Sequence, residues 1–309
     1  MVDLKLKIPE GFLEEEERCG YVVSKQMKEV WAVELDMFVE LDRVCRKHNI
    51  KYFASGGTML GAVRHKGFIP WDDDIDVMML RSEYDKLCAV GPSEFKHPYF
   101  FQTEYTDPGS LRGHAQLRNS ETTGILESEK TAKFKFNQGI FIDIFPLDNV
   151  PDDLNLFHKQ GENALLFKKR YHKWSRWTDC RYIEASNAPK KIIKRCIYKL
   201  LRSIAHKVVN NNYRKFEDAC KLYNNHKTSF IGPIGVFDFG EKHIKYREDY
   251  EESQYVDFEF VKMPIPVRYD HALRTYFGDY MVMQKAPSNH GGIFFDTDKS
   301  YKEYLNLIR

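Results

Sequence analysis

The stretch Ser55-Gly-Gly-Thr-Met-Leu-Gly-Ala-Val-Arg64, which closes on Ile69-Pro-Trp-Asp-Asp-Asp-Ile-Asp-Val77, sets a glycine turn ahead of four carboxylates. Its order is strand, turn, helix, loop and strand. Tyr52, Phe53 and Ala54 make an apolar run of strand character, and Gly56 and Gly57 supply the tight turn and close backbone approach that a phosphate requires. Thr58 to Arg64 then opens a helix whose free N–H groups face the same anion. Ile75, Val77, Met78 and Met79 read as a second strand, from which Asp74 and Asp76, two residues apart, project on one face. Two carboxylates so placed hold hard divalent cations, Mg2+ foremost (or Mn2+). Asp72 and Asp73 precede the apolar residues and read as loop and capping carboxylates. A glycine pair alone is commonly a turn, and an acidic run alone a solvated loop; the two in this order favour a metal-bound phosphate.

A third carboxylate, Asp143, interrupts the apolar strand Gly139-Ile-Phe-Ile-Asp-Ile-Phe-Pro146. Burying a carboxylate is costly unless it is paired or bound to metal. Two readings stand: an ion pair with a nearby lysine, or the third acid of a two-metal phosphoryl-transfer site, where it orients an attacking hydroxyl.

Phe53 to Val77, Phe141-Ile-Asp-Ile-Phe-Pro-Leu-Asp148, and Met263-Pro-Ile-Pro with Tyr276-Phe-Gly-Asp-Tyr-Met281 together resemble the LicD family of phosphotransferases, to which fukutin-related proteins also belong. The resemblance runs from about residue 25 to 290. It implies an α/β (α+β) fold with a nucleotidyltransferase-like mixed sheet flanked by helices. It also implies a site in which Asp74, Asp76 and Asp143 are catalytic and hold metal, with Ser55, Gly56, Gly57, Thr58, Arg64 and Lys66 on the donor side. The gap from Gly57 to Asp74 is longer than in the simplest nucleotidyltransferases, although usual for LicD-like chains. The implied donor is CDP-linked, CDP-choline foremost and CDP-ribitol in a related branch. The implied acceptor is a glycan or lipid-linked hydroxyl, such as a cell-surface polysaccharide or teichoic acid precursor, and CMP is released. Attack on the nucleotide's own phosphorus would instead make a nucleotidyltransferase, and loss of chemistry a binding protein of the same fold. Arg64 has two readings as well: a contact to the donor's phosphates, or a salt bridge to Asp72 or Asp73 that pins the loop.

The chain has 309 residues, 42% of them hydrophobic and 14% aromatic, enough for a substantial core. Its net charge of +2 hides segregation, with acids at Glu14 to Glu17 and bases at Lys168 to Lys173 and Lys190 to Lys215. No run of eighteen apolar residues occurs and Met1-Val-Asp-Leu-Lys-Leu-Lys lacks a signal-peptide core, so a cytoplasmic protein is the expectation. The six cysteines have no zinc or Cys-x-x-Cys spacing and read as reduced core residues. The eleven histidines form no zinc set. Nothing resembles a nucleic-acid module, and no nucleic acid is expected.

Three segments follow: a catalytic core over 1–150, a basic helical insertion over 151–225, and a strand- and turn-rich segment over 226–309 that completes one integrated unit. In the first, residues 24 to 48 carry Met27, Val30, Trp31, Phe38, Leu41 and Cys45 at helical spacing, with Asn49 at the end. Ser82 reads as the N-cap of a helix through Tyr84 and Leu87 that Gly91-Pro92 stops. Residues 98 to 145 read as strands, among which Arg112, His114, Gln116 and Arg118 alternate. They line one face near the nucleotide or form a solvated edge strand. In the second segment Ile192, Ile193, Cys196, Ile197, Leu200, Leu201, Ile204 and Val208 make one stripe, with Lys191, Lys194, Arg195, Lys199 and Arg202 around it. That helix is a core element or lies peripherally on an anionic membrane. Lys168-Lys-Arg-Tyr-His-Lys-Trp174 grips an anionic acceptor or is a solvated face. In the third segment Tyr269 to Tyr276 reads as a short helix before Gly278.

Overall fold

In the computed structural model, which describes residues 1–129, 135–175, 177–178, 189–285 and 292–307, Ser24 opens helix α1 (Lys25–Lys47). Its hydroxyl accepts a hydrogen bond from the Met27 N–H at 3.3 Å, satisfying one orphan donor of the first turn. Asn49, in the left-handed region at φ +51°, ends it as the sequence indicates. The helix is not one-faced: residues 30 to 38 are all buried. Trp31 stacks on Phe68 with ring centres 4.5 Å apart, and Phe68 meets Phe258 at 4.9 Å. A helix buried all round takes its position from packing and brings any polar side chain it carries into the interior.

The chain divides into two compact units. The first comprises Met1–Lys130, Phe136–Leu147 and Lys245–Arg309. Its mixed sheet is built from β3 (Phe53–Ala54), β4 (Asp76–Leu80), β5 (Tyr99–Gln102), β6 (Ala115–Asn119) and the first part of β8 (Phe141–Val150). β4 lies between β3 and β8, antiparallel to the first and parallel to the second. β6 is antiparallel to both β8 and β5. The two central strands are the most apolar, with Val77, Met78, Met79, Ile142 and Ile144 excluded from solvent, as strands covered on both faces must be. Pro146 is accommodated because Asp143 donates its N–H to the Ile75 carbonyl on the β4 side, so the N–H missing at Pro146 faces the side where the β6 ladder has already ended at Ile144. α2 (Gly56–Arg64) and α3 (Arg81–Glu94) follow β3 and β4. Four further pieces complete the unit. These are the hairpins β1 (Glu16–Arg18) with β2 (Tyr21–Val23) and β11 (Ser253–Phe258) with β12 (Val261–Pro266), and the pair β7 (Thr123–Leu126) with β13 (Ile293–Asp296). The short strand β10 is Lys245–Tyr246. The expected mixed α/β architecture is the one observed.

Three local readings change. Asp74 is not on a strand, because β4 begins at Asp76. Ser82 does not cap α3: the helix begins at Arg81, directly after the strand, and no side chain caps it. Nor does Gly91-Pro92 stop it, since the helix runs on to Glu94; a Cβ at Gly91 would meet the Phe101 ring at 2.8 Å, so the glycine serves packing.

The second unit is built on Asp148–Ile244. There Asp148–Val150, the end of β8, pairs antiparallel with β9 (Phe230–Gly232). Helices α4 (Leu154–Ser175) and α5 (Pro189–Cys220) pack through Tyr171, which meets Tyr213 at 5.5 Å and Phe216 at 5.7 Å. Among the described residues of α5, the buried apolar ones are Ala205, Val209, Tyr213, Phe216 and Cys220. Of the stripe read from the sequence Ile197 is 52% and Ile204 43% exposed, and the side chains of Ile192, Ile193, Cys196 and Leu200 lie outside the described residues. Among the cysteines, Cys45 and Cys220 are buried, Cys88 is half-buried, and Cys19 is exposed rather than in the core. Among the described residues no helix is long and apolar enough to cross a membrane. Tyr269–Phe277 forms α6, closed by Gly278 at φ +69°, and Tyr301–Leu307 forms α7.

Candidate active site

The turn between β3 and α2 closes on Asp76. Ser55 donates its N–H to the Asp76 carbonyl at 2.9 Å, and the Asp76 N–H donates to Thr58 Oγ1 at 2.8 Å. Both main-chain groups of Asp76 are therefore held by the residues that flank the glycine pair. Gly56 sits at φ +49°, where an L side chain is strained. A Cβ on it would lie 3.7 Å from Asp76 Oδ2, and one on Gly57 only 2.5 Å from Asp72 Oδ2. The glycine pair thus lets two carboxylates lie against the first turn of α2, whose free N–H groups carry partial positive charge.

Asp76 is the register partner of Asp143 across the parallel β4–β8 ladder, so the two acids stand side by side. Asp143 Oδ1 lies 3.1 Å from His114 Nε2 and accepts from Gln116 Nε2 at 2.6 Å. Gln116 Oε1 in turn accepts from Arg118 Nη2 at 2.6 Å; Arg118 also donates Nε to Gln102 Oε1 at 2.6 Å and Nη1 to the Gly139 carbonyl at 2.7 Å. Arg118 has no exposed surface, and burial, with Arg112 adding repulsion, pushes its pKa down to about 9. The edge-strand reading of residues 112 to 118 is overturned: β6 is paired on both sides and wholly buried. Of the four alternating residues, His114 and Gln116 reach the third acid directly, whereas Arg112 pairs with Glu129.

Asp74, off the strand, stands with its neighbours instead: Asp72, Asp73 and Asp74 each offer a carboxylate oxygen, all within 4.8 Å of one another. Asp76 Oδ1 is buried and has no hydrogen-bond partner. Burial first, and then Asp74, Asp143, Asp72 and Asp73, raise its pKa well above the usual carboxylate range. Glu34 of α1 belongs to the same field, although the motif reading missed it. Burial and then Asp74, Asp73, Asp72 and Asp76 raise its pKa well above the ordinary value. A signal for it existed, since Glu34 occupies the seat between Trp31 and Phe38 on the apolar side of the helix.

The cationic candidates lie elsewhere. Arg64, at the end of α2, donates Nη1 to the Tyr280 carbonyl and Nε to His65 Nε2, both at 2.9 Å. Burial lowers its pKa. Lys66 is exposed at φ +54°, and its charge helps lower the Asp257 pKa, after the closer Lys262. Burial, and then the charge of Asp76, raises the pKa of Tyr276 of α6. The Lys245 ammonium lies 4.8 Å from the centre of that ring.

Taken together, the structure joins Ser55, Gly56, Gly57, Thr58, Asp72, Asp74, Asp76 and Asp143 and sets Arg64 and Lys66 on other contacts. The glycine turn thus opens α2 beside clustered acids, two of them on adjacent parallel strands. Residues 49–160 match the family described as LicD/FKTN/FKRP, nucleotidyltransferase domain, so the segment that carries the turn, the acid run and most of the sheet is a LicD-family domain.

Among individual proteins, the chain is similar to the lipopolysaccharide cholinephosphotransferase LicD of Haemophilus influenzae, with 27% identity over 259 residues, 82% of this chain and 91% of the relative. It is also 54% identical to an uncharacterized protein of Rickettsia prowazekii over 46 residues, 15% of this chain and 17% of that one. With an uncharacterized protein of Rickettsia typhi it shares 54% identity over 50 residues, 16% of each.

Proposed function

We propose that this chain is a metal-dependent transferase that moves a phosphorylated small group, phosphocholine foremost, from a CDP-linked donor to a hydroxyl of a cell-surface glycan such as lipopolysaccharide. The observation that carries this reading is the placing of Asp76 beside Asp143 on adjacent strands, with Asp76 and Asp72 against the Gly56-Gly57 turn. The name of the Haemophilus relative supports the transferred group and the acceptor class.

The acids suit a hard divalent cation: Asp76 Oδ1 is buried with no partner and its neighbours are like-charged, a state that metal or protons must relieve. In this reading Asp74, Asp76 and Asp143 hold Mg2+ or Mn2+. When bound, the ion neutralises charge on the donor's phosphates and on the leaving nucleotide. The main-chain N–H groups of Gly56, Gly57 and Thr58 donate to the same phosphates, and Ser55 shapes the turn. Asp143, oriented by His114 and Gln116, takes the acceptor's proton. The acceptor oxygen bonds to the phosphorus of the transferred group as that phosphorus parts from the oxygen of CMP.

The protein works in the cytoplasm at the membrane surface. Ile197 and Ile204, seven residues apart on α5, are exposed together with Lys199, a combination that suits an anionic bilayer carrying a lipid-linked acceptor.

Product analysis tests the reading. With CDP-choline, Mg2+ and lipopolysaccharide, release of CMP with phosphocholine on the acceptor is expected. An acceptor carrying the nucleotide would make the protein a nucleotidyltransferase, and no product with either CDP-choline or CDP-ribitol would leave a binding protein.

A further inference from the structure

A row of polar side chains crosses the sheet at the level of the paired acids. Gln102 on β5 is the register partner of Gln116 on β6, Gln116 of Asp143 on β8, and Asp143 of Asp76 on β4. Register partners turn their side chains to one face, and Arg118, two residues from Gln116 along β6, shares it. Gln102, Gln116, Arg118 and Asp143 are all buried.

Both amides in this row have a fixed sense. Gln116 gives its Nε2 to Asp143 and takes Arg118 Nη2 on its Oε1, each at 2.6 Å. Gln102 takes Arg118 Nε on its Oε1 at 2.6 Å and gives its Nε2 to Asp107 Oδ2 at 2.7 Å and to the Asn137 carbonyl at 3.0 Å. A guanidinium has only donors, whereas a carboxylate accepts. Turning Gln116 over would therefore set N–H against N–H at Arg118 and oxygen against oxygen at Asp143. Arg118 is itself held, because its Nη1 donates to the Gly139 carbonyl at 2.7 Å while Gln102 takes its Nε. These three acceptors are uncharged, and a buried charge is a costly way to fill a core. What the guanidinium adds is direction.

Resting on the role given to Asp143 above, we infer that Arg118 is a positioning residue for the transfer: two hydrogen bonds from Asp143, it makes Gln116 present its N–H to that carboxylate and so aims it. Loss of such an outer partner costs about 10–100-fold in activity or metal affinity.

The test is a double-mutant cycle on Gln116→Met, Arg118→Lys and the two combined. It reads kcat and KM for CDP-choline from CMP release at saturating Mg2+, Mn2+ affinity by titration, and Tm. Each single variant is expected to lower kcat and to weaken Mn2+ binding by about 10–100-fold, with KM for CDP-choline unchanged. Because Arg118 acts through Gln116, the combined variant should be no worse than Gln116→Met. A merely structural arginine would lower Tm and leave the kcat of the folded protein alone, or would add its own loss to that of Gln116→Met; either result would overturn the inference. If Arg118→Lys fails to fold, Gln116→Glu decides. It keeps an acceptor for Arg118 but has no amide N–H for Asp143, so it should melt no lower than wild type and still lose kcat and Mn2+ affinity; wild-type values in it would overturn the inference and leave the proposed function standing. A wild type that binds Mn2+ but releases no CMP would remove the proposed donor, and the cycle on Mn2+ affinity would then decide for Arg118. A wild type that does neither would overturn both readings.

Discussion

Gly57→Ala separates the stability of the turn from its chemistry. In the native structure a Cβ at this position lies 2.5 Å from Asp72 Oδ2, whereas ordinary contact begins at 3.4 Å, so the carboxylate must retreat by about 0.9 Å. The obstacle is the end of a side chain, not main chain, and Gly57, unlike Gly56, is not in the left-handed region. Alanine is better than glycine inside a helix by about 1 kcal/mol, which opposes the cost of moving Asp72. The folded state should therefore keep its stability to within about 1 kcal/mol, a shift of roughly 2–4 °C in Tm. The chemistry should not survive so well, because misplacing a charged group by about 1 Å costs on the order of a hundredfold in rate. Calorimetry of the metal-free protein, CMP release from CDP-choline and Mn2+ affinity measured together form the assay. Wild-type turnover and Mn2+ binding at unchanged Tm would refute the reasoning, as would a variant that unfolds.

Asp76→Asn and Asp143→Asn should each lower turnover by on the order of a hundredfold or more while the protein stays folded; wild-type rates in both, or full turnover in chelator, would remove the central claim. Arg118→Ala leaves Gln102, Gln116 and the Gly139 carbonyl without their buried donor, so urea denaturation should show a loss of about 3–5 kcal/mol. Burial holds Lys245 at a pKa of about 8, against 10.5 when free. Between those values the unfolded chain keeps a proton that the folded chain has lost, so wild-type stability relative to Lys245→Met should rise as pH climbs from about 8 toward 10.5 and stay level below 8. Glutamate in place of both Ile197 and Ile204 should abolish cosedimentation with anionic vesicles at low salt while leaving Tm in place; unchanged binding would remove the membrane reading.

The sequence alone determined the strand-turn-helix-strand order, the long helix from Ser24 to Asn49 and the mixed α/β class, because each depends on local patterns. Glycines at a turn, a hydroxyl at a helix start and alternating apolar residues act over a few residues. It also singled out Asp76 and Asp143, since an acid inside an apolar strand stands out without a fold. Tertiary structure decided what those acids meet. Register alone sets Asp76 opposite Asp143 across 67 positions of chain, and the pairing of β6 on both sides turned a candidate surface strand into the buried carrier of Gln116 and Arg118. On the described part of α5, packing leaves Ile204 exposed and buries Ala205 and Val209. Glu34 is the sharpest case: its seat on the apolar side of α1 marks it in the sequence, but only packing brings it into the field of Asp74, Asp73, Asp72 and Asp76. Charges act through space rather than along the chain, and the carboxylate field at the glycine turn exists only once the helix, the loop and both strands are packed together.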